Sequence, residues 1–148
     1  QEIYDKLAYR NSTEGVIAIT NCKNHDLKNI KFKSNNPLII VIEATEKPGN
    51  IGAILRTADA ANIDAVIIAN PKTDLYNPNV IRSSVGSIFT NNIYVGNTKE
   101  IISLLKNKNI KIFASSLQTD ELYHNHIAYA ITLIIKFWLF HGAFASLP

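Results

Sequence analysis

The sequence predicts an α/β fold in which a parallel sheet carries helices on both faces. Residues 38–43, 65–69, 93–95 and 110–114 are short, mostly apolar stretches that predict strands, and longer segments with helical periodicity separate them. Runs without polar alternation are typical of parallel strands that are buried on both sides. The chain of 148 residues, 47% of them hydrophobic, is long enough for one domain with a sizeable core. We therefore expect right-handed crossovers and a ligand site at the carboxyl ends of the strands, where residues 43–45, 69–70 and 115–117 would lie.

The amino-terminal part of the chain has the weakest patterns. Residues 1–10 predict the end of a helix, and residues 15–20 predict a short apolar strand. Residues 1–14 are interpreted as a linker, or the end of a lost amino-terminal region. Residues 23–33 carry four lysines and His25. A solvated helix face and loop is the simpler interpretation of these charges, and an RNA-contacting patch is the alternative.

A helix is predicted between the first two strands, where residues 48–61 read PGNIGAILRTADAA. Asn50 is a suitable N-cap for this helix. One apolar stripe can pack on the sheet, and it is formed by Ile51, Ile54, Leu55, Ala58 and Ala61. Gly52, Arg56 and Asp59 share the other face. Because glycine is a poor helix former, Gly52 in the first turn indicates that another group approaches the backbone closely there.

Two more helices and a last strand are predicted in the second half. Proline suits the first helical position, so Asn77 and Pro78 predict a helix start. Residues 80–88 then predict a short helix with small residues on its surface, namely Ser83, Ser84, Gly86 and Ser87. Thr98 is predicted to cap a helix that ends at Lys106. Residues 131–135 predict a further strand.

Three patches of the sequence together resemble the SpoU/TrmH family of RNA ribose 2′-O-methyltransferases, in the SPOUT superfamily. The pattern Asn-x-Gly-x-x-x-Arg-Thr-Ala-x-Ala, which starts at Asn50, resembles the first motif of that family. Residues 77–87 resemble its Pro-x-x-x-x-x-Ser-x-Gly-(Ala/Ser) segment, and residues 15–18 resemble the strand before its catalytic domain. The resemblance implies that residues 15–135 are the methyltransferase core, with the SPOUT type of α/β-knot fold.

The end of the sequence departs from the family pattern. Family members continue with a Gly-x-Glu-x-x-Gly loop, an Ile-Pro-Met segment and a Ser-Leu-Asn-x-Ser helix, which form the knot that holds S-adenosylmethionine. Residues 136–148 contain none of these motifs. We expect a truncated or frameshifted family member that lacks the knot segment. Residues 127–147 are largely apolar, but Lys136 and His141 interrupt them, so a strand with an exposed tail is favoured over a membrane helix.

The resemblance implies an activity: transfer of a methyl group from S-adenosylmethionine to a ribose 2′-OH of tRNA or rRNA. Arg56 matches the catalytic arginine of the family, and Asn50 matches the asparagine that positions the arginine and the substrate. Because a guanidinium rarely gives up its proton, we expect electrostatic stabilisation of the ribose oxygen rather than general-base catalysis. The alternative interpretation of Arg56, which the spacing alone would favour, is a surface ion pair with Asp59.

The resemblance also implies further contacts and partners. Gly52, Arg82 and Ser84 are candidates for binding RNA. Ser115, Ser116 and Leu117 correspond to the strand end at which family members contact the cofactor. The intact family member is expected to be a homodimer.

Composition narrows the remaining possibilities. The single cysteine, Cys22, leaves no internal disulfide and fits a reducing compartment, which we take to be the cytoplasm. The histidines and Cys22 show no zinc spacing, so no metal is expected. The net charge of +3 permits an RNA partner without requiring one. Two hypotheses follow: a methyltransferase, or a catalytically inactive truncated fragment that at most binds RNA weakly through basic residues.

Overall fold

A parallel sheet lies at the centre of the protein. The computed structural model describes residues 2–7, 17–32, 34–115 and 131–136. The strands are β1 (Ile39–Glu43), β2 (Ala65–Ala69), β3 (Ile93–Gly96), β4 (Lys111–Ser115) and β5 (Ile131–Lys136). They form one five-stranded sheet in the order β3-β2-β1-β5-β4, and all neighbours pair in parallel. The predicted parallel α/β fold is therefore confirmed.

Helices cover both faces of the sheet, as predicted. The α-helices are α1 (Glu2–Leu7), α2 (Pro48–Ala60), α3 (Pro78–Ser84), α4 (Ser87–Thr90) and α5 (Thr98–Asn107), and a 3₁₀ turn spans Leu27–Asn29. Ile51 of α2, Val80 of α3 and Ile88 of α4 pack on one face of the sheet. Ile101 of α5 and Leu27 of the 3₁₀ turn pack on the other face.

The two faces are built from alternating residues of β1 and β2. Side chains of successive residues in a strand point to opposite sides, so a strand between two helical layers must be apolar throughout. Ile39 and Val41 belong to the core beneath α5, whereas Ile42 belongs to the core beneath α2. All five residues of β2 are buried. The unbroken apolar runs of the sequence are explained by this two-sided burial.

The segment before β1 covers the free edge of β3. The amide of Val95 donates to the carbonyl oxygen of His25 at 2.8 Å, and Asp26 forms a parallel bridge with Val95. The His25 ring lies between the carbonyl oxygen of Ile93 and the hydroxyl of Tyr76, each at 2.8 Å from a ring nitrogen. This pairing protects an edge that would otherwise present unpaired backbone groups.

Predictions for the amino-terminal segment have mixed outcomes. The helix predicted within residues 1–10 is present as α1. The strand predicted over residues 15–20 was wrong for residues 17–20, which have no regular secondary structure, and residues 15–16 lie outside the described part of the chain. Most of residues 23–32 form an exposed loop with one 3₁₀ turn, so the loop of the simpler interpretation is confirmed and its helix is not. The RNA-contacting alternative stays a prediction.

The starts of two helices differ from the prediction. Helix α2 begins at Pro48, with Lys47 as its N-cap, so Asn50 is the third helical residue and not the cap. Proline favours this earlier start because its φ is already helical and it has no amide to satisfy. Helix α5 is capped by Asn97, whose Oδ1 accepts a hydrogen bond from the amide of Glu100 at 2.9 Å. Thr98 lies inside the helix, and its hydroxyl has other partners.

The helix predicted over residues 80–88 is divided in two. Asn77 and Pro78 begin α3 as predicted, and Asn77 accepts a hydrogen bond from the amide of Asn79. Val85 and Gly86 then take left-handed conformations, with φ of 50° and 89°, and end the helix. The prediction that the small residues lie on the surface was wrong for Ser84 and Ser87, which are buried.

The hydroxyls of these buried serines are satisfied locally. Ser84 donates to the carbonyl oxygen of Ile81 at 2.8 Å, and Ser87 donates to that of Ser84 at 2.7 Å. Serine can bond the carbonyl one turn earlier in a helix, which lets it be buried without an unpaired hydroxyl. No helix in the described part of the chain is long and apolar enough to cross a membrane, and the described residues within 127–147 form strand β5. The tail after Lys136 lies outside the described residues.

Candidate active site

Arg56 lies near the middle of α2 with its guanidinium exposed to solvent. Its Nη1 donates a hydrogen bond to the carbonyl oxygen of Ser83, in α3, at 2.6 Å. The alternative ion pair with Asp59 is not formed in the described structure, where Asp59 accepts a hydrogen bond from Thr90 at 2.7 Å instead. Because a guanidinium has several further donors, Arg56 is held in place and can still bind an anion.

Gly52 lies at a close contact between α2 and α3. A Cβ atom at Gly52 would lie 2.0 Å from the Ser83 Oγ, 2.6 Å from its carbonyl carbon and 2.7 Å from its Cβ. The predicted close approach to this glycine is therefore made by Ser83. Gly52 is buried beneath that contact. Its assignment as an RNA-binding residue has no exposed surface to support it and stays a prediction.

The hydroxyl of Ser83 holds α3 against the start of α2. It bonds the carbonyl oxygen of Asn79 at 2.6 Å, with longer contacts to those of Val80 at 3.2 Å and Pro48 at 3.4 Å. The side chain of Ser83 thus contacts the start of α2, while its carbonyl oxygen accepts the bond from Arg56. One serine joins the two helices and orients the arginine.

Asn50 is half-buried in the first turn of α2. Arg56 is six positions later, which corresponds to a rise of about 9 Å along a helix and places the two residues on different sides. Among the described residues, Arg56 bonds to Ser83 and not to Asn50. The role of Asn50 in positioning the substrate stays a prediction.

The two RNA-binding candidates on α3 differ in exposure. Arg82 is exposed in the last turn of the helix. Ser84 has 0% exposure, and its hydroxyl is bonded within the helix. In this structure the side chain of Arg82 is available to a ligand and that of Ser84 is not.

A polar cluster at the carboxyl edge of the sheet was not found from the sequence. The hydroxyl of Thr98 donates to Glu43 Oε1 at 2.9 Å and accepts from Asn70 Nδ2 at 2.8 Å. Glu43 ends β1 and Asn70 follows β2, so Thr98 joins two strand ends to the start of α5. The sequence placed residues 43–45 and 69–70 at this edge, but it assigned Thr98 to a helix cap.

Thr45 lies at the same edge and has an unsatisfied hydroxyl. Its side chain is 2% exposed, and its Oγ1 has no hydrogen-bond partner in the described structure. Because buried hydroxyls are nearly always hydrogen-bonded, we expect a bound group to supply the missing hydrogen-bond partner of this atom. The carboxyl edge of the sheet thus contains an orphaned polar atom two residues after β1.

The predicted cofactor-binding strand end is only partly described. Ser115 is the last residue of β4 and pairs in register with Ile135 of β5. Ser116 and Leu117 lie outside the described residues. The three residues stay predicted cofactor contacts. No group of three or more potential metal ligands is present among the described residues.

A family model described as the SpoU rRNA Methylase family matches residues 37–137, which include the whole sheet and α2 to α5. The chain belongs to this family. The 23S rRNA (guanosine(2553)-2′-O)-methyltransferase RlmP of Bacillus subtilis is 34% identical over 85 residues, which are 57% of this chain and 34% of that protein. RlmB of Photobacterium profundum, a 23S rRNA (guanosine-2′-O-)-methyltransferase, is 27% identical over 130 residues, 84% of this chain and 53% of that protein.

Solved structures of family members share the fold. The SpoU methyltransferase AviRb of Streptomyces viridochromogenes matches with a TM-score of 0.69 and 25% identity, over 77% of this chain and 47% of that one. An RNA 2′-O ribose methyltransferase matches with a TM-score of 0.67 and 27% identity, over 91% of this chain and 52% of that one. The chain thus spans about half or less of the length of these relatives.

Proposed function

We propose that the chain acts in the methylation of a ribose 2′-OH in tRNA or rRNA, with S-adenosylmethionine as the methyl donor. The observation that carries the proposal is the guanidinium of Arg56, exposed on α2 and held by the Ser83 carbonyl. It occupies the position of the catalytic arginine in the family motif. The relatives named above are rRNA or RNA 2′-O-methyltransferases.

Methyl transfer to a ribose hydroxyl requires the sugar to be held still and the oxygen to lose its proton. Arg56 can do the first by binding a neighbouring phosphate through two of its N–H groups. It can assist the second because a fixed positive charge stabilises the negative charge that develops on the oxygen. The bond to Ser83 removes much of the conformational freedom of the guanidinium, so little ordering remains when RNA binds.

The carboxyl edge of the sheet fits a polar cofactor. Thr45 has a buried hydroxyl that a ligand group could satisfy, and Glu43 and Asn70 place an acceptor and a donor nearby. Ser115, with Ser116 and Leu117, would hold the cofactor at the end of β4. When bound, S-adenosylmethionine supplies the methyl group.

We further propose that the intact protein is a homodimer in the cytoplasm. The family resemblance supports the dimer. The exposed free thiol of Cys22 supports a reducing compartment. Residues 15–135 would be the methyltransferase core in this proposal.

The alternative is an inactive chain that binds RNA weakly through its basic residues. Calorimetric titration with S-adenosylmethionine, together with RNA titrations at increasing salt, separates the two. The proposed enzyme binds the cofactor saturably, with micromolar affinity. RNA binding that weakens with salt, with no cofactor binding by a chain shown to be folded by circular dichroism, would favour the alternative.

A further inference from the structure

The turn between α3 and α4 has a backbone that its residues disfavour. Val85 has φ 50° and ψ 40°, and Gly86 has φ 89° and ψ −16°. Left-handed backbone is natural for glycine but is a genuine outlier for a β-branched residue such as valine. Strained residues of this kind persist only where the surrounding structure holds them, and they cluster at functional sites.

This turn also exposes two large apolar side chains. Val85 is 75% exposed and Phe89, four residues later, is 51% exposed. Ser84, Ser87 and Ile88 between them are buried, so the neighbouring positions do pack. The core therefore gains little from Val85 and Phe89. Exposed apolar side chains beside strained backbone make this segment a candidate binding surface.

Two cations contact the backbone at the two ends of this segment. Arg56 donates to the carbonyl oxygen of Ser83, just before the turn. Lys23 Nζ donates to the carbonyl oxygen of Phe89 at 2.5 Å, just after it. Each cation has further N–H donors. Asp59 also reaches the segment, through the Thr90 hydroxyl, so the cations outnumber the carboxylate in these contacts.

We propose that the segment Ser83–Phe89, which includes this turn, docks an unpaired base of the RNA. Phe89 supplies the ring on which the base stacks, and Lys23 and Arg56 hold the phosphates on either side. Single-stranded RNA is recognised by this combination of aromatic stacking and cationic phosphate binding. A second copy of the chain would also cover an apolar patch, but a cation at each end favours an anionic polymer. The inference rests on the proposed function, since it assumes an RNA substrate.

The test compares two fluorescent oligonucleotides of about twelve residues, one of uridylate and one with the same backbone but no bases. Their affinities are measured by anisotropy at low salt. Phe89→Ala is expected to weaken uridylate binding by about tenfold, because stacking on an aromatic ring strengthens single-strand binding by that order. Phe89→Tyr keeps the ring and should bind within about twofold of the natural chain.

Two controls isolate the stacking contribution. The abasic oligonucleotide should bind the natural chain and Phe89→Ala equally, because it has no base to stack. Phe32 is a matched aromatic residue that packs with the core on the other face of the sheet, with Lys108 Nζ 5.7 Å from its ring centre. Phe32→Ala, shown to be folded, should leave uridylate binding unchanged.

Several outcomes would overturn the inference. Equal uridylate affinity for Phe89→Ala and the natural chain would do so, as would an equal loss with the abasic oligonucleotide. A change from dimer to monomer in Phe89→Ala, with RNA affinity unchanged, would assign the patch to a second copy. If the natural chain binds neither oligonucleotide, the inference fails, whereas methyl transfer to tRNA and rRNA transcripts still tests the proposed function. Phe89-dependent RNA binding without methyl transfer would instead support the inference while removing the proposed enzymatic function.

Discussion

Among the described residues, Arg56 is positioned by the contact between two helices and not by a partner of opposite charge. The family motif identifies the arginine, but its hydrogen-bond partner Ser83 is 27 residues away in the sequence. Gly52 predicted that another part of the chain approaches α2 closely, but it did not predict which residue does so. The identity of that neighbour depends on tertiary packing, which local sequence patterns do not contain.

Gly52→Ala should destabilise the protein. The added methyl group would meet Ser83, including its backbone carbon at 2.6 Å, so α3 would have to move. Overpacking of this kind costs about 1–3 kcal/mol. In a protein of this size we expect the melting temperature to fall by about 2–4 °C for each kcal/mol.

Gly49→Ala is the matched control, because it adds the same methyl group to the first turn of the same helix. Apart from its chain neighbours and the backbone of its own helix, no heavy atom in the described part of the chain lies within 4 Å of a Cβ atom at Gly49. Alanine also favours a helix over glycine. The melting temperature should stay the same or rise. Equal melting temperatures for Gly52→Ala and Gly49→Ala would contradict the close crossing of α2 and α3.

Val85→Asn should stabilise the protein by about 1 kcal/mol. Asparagine tolerates left-handed backbone, and the side chain of Val85 is 75% exposed, so little burial is lost. A thermal melt should show a rise of about 2–4 °C. Val85→Thr keeps the β-branch and should show no such gain. A lower melting temperature for the asparagine variant would argue against backbone strain at this turn.

At the scale of the elements, the polar cluster at the strand ends ties the sheet to α5. Thr98→Val removes a hydroxyl with little change of shape and breaks two hydrogen bonds, to Glu43 and from Asn70. One of these bonds is exposed and the other is partly buried, so their loss should destabilise the protein by about 1 kcal/mol, as measured by urea unfolding. Thr98→Ser keeps the hydroxyl and should retain most of the stability.

Ser103→Ala provides a second control for that measurement, since Ser103 is exposed on the same helix. Its effect should stay within about 0.5 kcal/mol, as for most surface substitutions. A loss in Thr98→Val no larger than that in Ser103→Ala would show that the cluster does not stabilise the strand ends.

Strands were easier to predict than helix ends. The five strands predicted after Pro37 all form, because mostly apolar runs of this kind favour strands within a parallel sheet. The run predicted over residues 15–20 does not form a strand in its described part. Helix boundaries are harder to predict because neighbouring residues can favour different start positions. Asn50 favoured a later start of α2, but the helix begins at Pro48. The break at Val85 was missed because a β-branched residue argues against left-handed backbone. Only the neighbouring Gly86 gave a signal.

For the whole molecule, the order of the strands was the part that the sequence left open. Alternating strands and helices predict a parallel sheet, but they do not say that β5 lies between β1 and β4. Because β5 lies between β1 and β4, Lys136 pairs in register with Glu43. The end of β5 therefore reaches the carboxyl edge at the polar cluster of Glu43, Asn70 and Thr98.

Methyl transfer to RNA measured with the natural chain and with Arg56→Ala tests the central claim most directly. Unmodified tRNA and rRNA transcripts are incubated with radiolabelled S-adenosylmethionine, and the labelled nucleosides are identified after digestion. Arg56 is exposed, so its removal should leave the fold intact, as checked by circular dichroism. We expect 2′-O-methylated nucleosides from the natural chain and a loss of at least about a hundredfold in Arg56→Ala. Equal transfer by both proteins, or none by a natural chain that is folded, would contradict the account.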